Sequence, residues 1–459
     1  MRSFLANAVV STVVLPALTA ATALWQQDIQ TPLVSTGSTQ PSIIHTDAVK
    51  PLLRLHQQLI AIESISGNEH DVGAYLVRYL HDIGLSVEIQ KVDAGGGSKS
   101  IGSYEPFTLL TSPLDDDETY LTTSTSHKKK LPSRFNVFAY TNASTSNHHH
   151  TLLTTHIDTV PPYIPYSTNS TKRFHADTLI SGRGSVDAKA ALAAMLTAWT
   201  TLLTQPAEDQ VLPADSTAML LVVGEEVGGS GMRAASAHFA ATEPPTTFDV
   251  GIFGEPTEHT LACGHKGNLG FHINVHGRAA HSGYPWLGVS ANDVLIAALA
   301  ALKFKVEWPS SEKYGNTTVN VGRIEGGFAA NVVAERASAK IAIRIAQGQP
   351  EAVRQIVRDT IHEATEELLK DASGKTVGDV EVIFPDAGYG PIDCDCDLEG
   401  FETMTVNYGT DVPWLAGNHK SYLYGPGSIL VAHSDHEALT VKELKRGVED
   451  YKRILLGTL

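Results

Sequence analysis

The chain has 459 residues, 42% hydrophobic and 18% charged, which is enough apolar material for more than one core. Its formal charge of −16 argues against nucleic acid or an anionic membrane as partner, since both select a positive face. Beyond the N-terminus no stretch is long and apolar enough to span a bilayer.

The first residues carry Arg2, an apolar stretch from Phe4 to Leu18 and the small-residue ending Ala21-Thr22-Ala23. A basic start, a short apolar run and an A-x-A pattern predict a signal peptide over residues 1–23 and a secreted, extracellular protein beginning near Leu24. Asn7 and Pro16 break the run too early for a membrane anchor. Residues 24–45, rich in Gln, Thr, Ser and Pro, read as a pro-segment or flexible arm. Asn142, Asn169 and Asn316 each open an N-x-S/T glycosylation triplet, as a secretory route allows. Of the three cysteines, Cys394 and Cys396 are too close for an easy mutual bridge. The expectation is therefore one disulfide from Cys263 to one of them, with a thiol left over.

Order is expected from Thr46, where a Thr-Asp pair starts an amphipathic helix to about Ile62. A second helix runs from about Asn68 to Ile83 and stops at Gly84, and a strand covers Ser86 to Val92. From Asp93 to Arg134 the chain is polar, with an Asp115-Asp116-Asp117-Glu118 run and a Lys128-Lys129-Lys130 run, as in a solvated surface insertion. His148-His149-His150 lies in a further polar stretch and reads as a surface loop rather than a metal site.

Three apolar runs then end in an acid or a histidine: Leu152 to His156, Ala218 to Glu225-Glu226, and Val250 to Glu255. They alternate with helical stretches, of which the Ala- and Leu-rich segment Ala188 to Leu203 is the clearest. The alternation predicts an α/β catalytic domain, with helices on both faces of a mostly parallel sheet. In such sheets ligands bind beyond the carboxyl ends of the strands, so His156, Asp158, Glu225, Glu226 and Glu255 should converge on one crevice. Together with Asp187 and His433, two histidines and three carboxylates form a ligand set for a pair of divalent metals, zinc first. If Glu225 and Glu226 lie on an extended strand they face opposite ways, so that one holds metal while the other handles protons.

After Gly264 the pattern changes to strand, helix, two strands, helix: Gly270–Val275, Ser290–Phe304, Thr317–Ile324, Ala337–Ile345 and Pro350–Leu369. This is the outline of an α+β open-faced sandwich. Strand-like runs resume near Gly378 and His433 follows, so residues 265–375 read as an insertion into a discontinuous catalytic domain of residues 46–264 and 376–459.

Thr154-Thr155-His156-Ile157-Asp158-Thr159-Val160-Pro161, Gly182 to Lys189, Gly224-Glu225-Glu226-Val227-Gly228-Gly229 and Gly254-Glu255-Pro256-Thr257 resemble successive motifs of one metallopeptidase family. It is the di-zinc family of acetylornithine deacetylase, succinyl-diaminopimelate desuccinylase, aminoacylase and glutamate carboxypeptidase. Gly277 to Ser282 and Gly326 to Val332 are similar to signatures of its lid and dimerisation domain, and Ala432 to Glu437 to its last ligand motif. The match runs over roughly residues 46 to 457. It implies two Zn(2+) per subunit, one on His156 and Glu255, the other on Glu226 and His433, with Asp187 bridging. It also implies that Asp158 holds the His156 imidazole, that Glu225 is the general base, that His281 reaches the oxyanion, and that Asn331 and Arg344 grip a substrate carboxylate.

Two features depart from the family pattern: His436 stands where Asp or Asn is usual, and the polar insertion over 93–134 has no counterpart. The expected activity is that of a secreted exopeptidase, a carboxypeptidase on short peptides. N-acyl amino acid deacylation is the alternative, and a catalytically silent binding protein the reading from another class. A homodimer through the inserted domain is the expected partnership.

Overall fold

The computed structural model describes residues 46–92, 120–122, 128–130, 133–141, 144, 146–170, 174–205 and 212–459. The expected signal peptide, the pro-segment and Asn142 lie outside the described residues.

Two amphipathic helices lead, α1 (Thr46–Ala61) and α2 (His70–Asp82), and strand β1 (Leu85–Lys91) follows. The large sheet continues with β2 (Phe135–Thr141), β3 (His148–His156), β4 (Thr217–Val222), β5 (Thr247–Gly254) and β6 (Leu261–His265). Its spatial order, β1-β2-β4-β3-β5, is extended by a late strand, Lys420–Tyr424, which pairs parallel to β5. β4, β3, β5 and this late strand are mutually parallel, and the sheet turns antiparallel towards both edges. The parallel strands are largely buried, the threonines, His149 and His156 of β3 included, because both faces are covered.

On one face lies α3 (Lys189–Leu203), whose Leu192, Met195, Leu196 and Trp199 join the core built with α1 and the last helix. That last helix, Val441–Gly457, is started by a capping box in which Thr440 and Glu443 satisfy each other's backbone donors. On the other face α4 (Ser230–Ala241) packs Met232 and Phe239 against Phe138, Leu220 and Phe248. The parallel strands therefore end side by side in the middle of the sheet, where their carboxyl ends can share one site.

The insertion has its own sheet and its own core. Strands β7 (Gly267–His276), β8 (Thr318–Gly326), β9 (Arg336–Ile345) and β10 (Asp379–Ile383) stand in the order β8-β9-β7-β10, all antiparallel. Helices α5 (Ala291–Phe304) and α6 (Pro350–Thr365) cover one face, burying Leu295 and Val357 against Phe271, Ile341 and Ile343. The expected boundary at 375/376 is corrected by β10, which pairs with β7 and so belongs to the insertion's sheet. The sequence hides this because Asp379–Ile383 is a short edge strand with a partly polar face.

One further expectation gains detail and one is revised. Within the polar insertion, Lys128–Lys130 forms a short strand paired antiparallel with Tyr120–Thr122. His148-His149-His150 is not a loop but the start of β3, with His149 buried. Cys263 is bridged to Cys396, and Cys394 is the free thiol.

His56 and His265 are fully buried and neutral. The His56 Nε2–H donates to the Ser185 carbonyl at 2.9 Å, and the His265 Nδ1–H to the Lys266 carbonyl at 2.8 Å. Burial outweighs these bonds and pushes both imidazoles down to about 4. An unfolded chain takes up these protons below about pH 6.5, so the contribution to stability is complete above that pH and is lost as pH falls towards 4. We expect the melting temperature to drop over this window, and the drop to be shallower in His56→Gln and His265→Gln; equal slopes in scanning calorimetry would refute the assignment.

Candidate metal centre

His156 is the last residue of β3, and Glu255 follows the last residue of β5 on the adjacent parallel strand. Asp187 lies two residues before α3, and its backbone N–H donates to Glu437 Oε1 at 3.2 Å. His156 Nε2 stands 3.1 Å from Asp187 Oδ1 and 3.8 Å from Glu255 Oε1. On the other side of Asp187, His433 Nε2 is 3.3 Å from Asp187 Oδ2 and 3.1 Å from Glu226 Oε2. Two groups result, His156-Asp187-Glu255 and Asp187-Glu226-His433, each with its ligand atoms within 4.8 Å of one another. Asp187 is common to both. His433 has a left-handed backbone, φ 63°, uncommon for a residue with a side chain and a mark of local constraint. His436 points elsewhere, bonding Asp435 at 2.9 Å in an exposed position.

The Glu225-Glu226 pair does not sit on a strand. β4 stops at Val222, and both acids lie in a turn between Gly224 and Gly229, whose φ values of 71° and 72° favour glycine. The alternation rule therefore does not separate them; the turn does.

Asp158 is placed differently from its expected role. The His156 Nδ1–H donates to the Asp158 backbone carbonyl at 2.9 Å, while the carboxylate is 3.6 Å away. That carboxylate accepts from Ser66 Oγ at 2.7 Å, from the Glu225 N–H at 3.1 Å and from the Glu226 N–H at 3.3 Å. It thus holds the acidic turn in place and only indirectly orients the imidazole.

Electrostatically the centre holds more negative charge than its own side chains neutralise. Burial, reinforced by Glu255, pushes the Glu225 carboxyl well up; burial and Asp187 push Glu226 up. Glu255 is driven up by burial above all. His433, hydrogen-bonded to Asp187 and Glu226, is pushed up to about 10. With its Nδ1–H given to a carbonyl, a neutral His156 turns its Nε2 lone pair towards Asp187, acceptor against acceptor, an arrangement that a cation between them relieves.

Several residues of the site are not singled out by their sequence. Arg183 donates to Glu437 Oε2 at 2.7 Å and to the Ser434 carbonyl at 3.0 Å, and Glu437 Oε1 accepts from the Val186 N–H at 3.0 Å. This buried pair locks the Asp187 and His433 loops together. Asp411, buried beside Thr410 in a small cavity shared with His156 and Glu255, is pushed up to about 7 by burial. Glu437 stands in the final motif and was within reach of sequence reasoning; Asp411 carries no spacing signal.

The remaining expected residues lie in the insertion and are not drawn into the two metal groups. His281 is exposed, its Nδ1 accepting from the Gly283 N–H at 3.0 Å, and it bridges to Val332 next to the exposed Asn331. Arg344 on β9 comes nearer the centre: its Nη1 lies 3.1 Å from where a Cβ on Gly409 would stand, next to Tyr389. Asn169 and Asn316 are exposed.

A family model for a peptidase dimerisation domain matches residues 263–372. A peptidase M20 domain-containing protein of Sordaria macrospora is 43% identical over 93% of this chain and 90% of its own length. A probable carboxypeptidase of Aspergillus flavus is 41% identical over 99% of both. Among solved structures, an M20 family metallo-carboxypeptidase of Sulfolobus solfataricus aligns over 89% of this chain and 99% of its own with a TM-score of 0.60 at 15% identity. A di-peptidase of Saccharomyces cerevisiae aligns over 90% and 96% with a TM-score of 0.62 at 15% identity. Relatives that share about two residues in five across nearly the whole length establish that this chain belongs to the M20 family of peptidases.

Proposed function

We propose that the protein is a secreted, zinc-dependent carboxypeptidase that releases the last residue of short peptides. The observation that carries this reading is the pair of ligand groups sharing Asp187, with Glu225 beside them on the same turn as Glu226. The donor set fits two zinc ions: imidazole nitrogens and carboxylate oxygens are the ligands zinc takes, and three carboxylates raised or crowded by one another are what two cations would settle. His156, Glu255 and Asp187 would hold one ion, and Glu226, His433 and Asp187 the other. Bound there, the ions supply Lewis-acid polarisation of water and of the scissile carbonyl.

The chain's own residues do the rest. The Glu225 carboxyl, pushed up by burial and by Glu255, holds a proton more readily than an ordinary carboxylate, as a proton shuttle must. It accepts the proton of the water that adds to the amide carbon and delivers it to the nitrogen as the C–N bond breaks. Arg344 suits the free carboxylate of the substrate through its planar fork, with Asn331 as a second contact. His281 meets the oxyanion once the insertion closes, or from the insertion of a second copy. Exposed Ile296, Phe304, Ile324 and Phe328 on the insertion favour a homodimer through that surface. The names of the fungal relatives favour a carboxypeptidase over a deacylase.

Metal-loaded protein incubated with free short peptides, their C-terminal amides and N-acyl amino acids tests the reading. Free peptides should lose their last residue and amides should resist. Faster hydrolysis of N-acyl amino acids would reassign the enzyme as a deacylase, and no hydrolysis at all would leave a binding protein. Expression in a secreting host should deliver the protein to the medium, with an endoglycosidase-sensitive mass contributed by Asn169 or Asn316.

Glu225→Gln keeps shape but removes the base, so turnover should fall roughly a hundred- to ten-thousand-fold with metal content near normal. Glu226→Gln should instead lose metal, and the reverse pattern would overturn the division of labour. Elemental analysis of wild type should give two zinc ions per chain; chelation should abolish activity and added zinc restore it, whereas full activity in metal-free protein would exclude the zinc mechanism.

A further inference from the structure

The histidine triplet opens β3 at the opposite end from His156, away from the metal centre. Alternate residues of a strand share a face, so His148 and His150 stand together while His149 turns inward to stack on Phe248. Parallel β5, in register His148 with Thr247 and His149 with Phe248, brings Asp249 beside them. One oxygen of Asp249, Oδ2, lies 3.3 Å from His148 Nε2 and 2.9 Å from His150 Nδ1.

Both outer ring nitrogens are already occupied. His148 Nδ1 is 3.0 Å from Thr247 Oγ1, and the His150 Nε2–H donates to the Thr458 carbonyl at 2.7 Å. A carbonyl only accepts, so a neutral His150 carries its hydrogen on Nε2 and turns the Nδ1 lone pair towards the Asp249 carboxylate. Two acceptors 2.9 Å apart need either a proton or a metal ion between them. His156 shows the same arrangement, with one nitrogen given to a backbone carbonyl and the other facing a carboxylate at 3.1 Å. Holding the outer nitrogen is how proteins orient metal-binding imidazoles.

We propose that His148, His150 and Asp249 form a separate, peripheral site for a divalent transition-metal ion of the zinc class. Imidazole and carboxylate donors suit zinc, copper and nickel over calcium or magnesium. Bonds of about 2.0–2.1 Å at tetrahedral angles place ligand atoms roughly 3.3 Å apart, and the two N···O separations of 3.3 and 2.9 Å are close to that. In the catalytic groups all three ligand atoms already lie within 4.8 Å of one another; the peripheral trio is not closed to that degree. His148, 54% exposed, has the freedom to swing in and complete it. The peripheral ion therefore binds more weakly than the catalytic pair. Through His150 it also ties Thr458, just after the last helix, to the sheet. Eight strand steps of about 3.3 Å put it roughly 26 Å from His156, too far to touch the chemistry.

The test is equilibrium dialysis of the full chain, carrying its catalytic metal, against micromolar free zinc, with bound metal read by plasma mass spectrometry. Wild type should hold one zinc more per chain than His148→Gln or Asp249→Asn, and zinc should raise the melting temperature of wild type but not of the variants. Peptidase activity should be the same in all three. His148→Gln changes an exposed side chain and preserves the fold if Asp249→Asn does not. Equal zinc uptake and equal thermal response in wild type and variants would leave only a histidine–aspartate ion pair and overturn the site. Because the readout is a difference between proteins, it stands or falls independently of how many ions the catalytic centre holds.

Discussion

Crowding of like charge at the carboxyl ends of parallel strands is the constraint on which the rest of the structure depends. Glu225, Glu226, Glu255, Asp158 and Asp187 come from separate segments and are brought to one crevice, where withdrawal from water makes each carboxylate costly. A fold accepts such a cost only where it is useful and where the surroundings hold the groups rigid. The rigidity here is visible: the Asp158 carboxylate takes two backbone N–H groups of the acidic turn, and the Arg183–Glu437 pair binds the loops of Asp187 and His433. Without these anchors the acids would spread apart into solvent.

The scaffold explains why such a centre can be held at all. Four parallel strands covered on both faces form an apolar slab that cannot shear easily, and its strand ends are fixed relative to one another to within side-chain packing. The insertion, by contrast, has a separate core and a sheet with one uncovered face. It brings His281 and Asn331 as exposed groups, while Arg344 stands beside Gly409 of the catalytic body. The proposed binding groups on a second body and the proposed chemical groups on the slab make the division expected of an enzyme that completes its site on substrate arrival.

Much of this was legible in the sequence, and for a physical reason. An apolar run that stops at a histidine or an acid marks the end of a buried parallel strand, so residue type and position together point to the crevice. What was not legible depends on backbone detail. Asp158 lies two residues after His156, but that spacing does not say that the imidazole bonds the carbonyl while the carboxylate serves the turn. Strand alternation misdescribes Glu225 and Glu226 because the strand has already ended and Gly224, with a positive φ, turns the chain before them. The histidine triplet looks like a loop because the open end of a parallel strand is polar, and only its neighbour β5 reveals a strand.

The bridge between Cys263 and Cys396 encloses the insertion, since one cysteine lies before β7 and the other beyond β10. The chain leaves the catalytic body and returns to it on two paired strands, with a covalent tie behind them. In terms of chain topology, the insertion is a closed loop hung from a single covalent knot. A protease cut anywhere inside it leaves both halves of the enzyme joined.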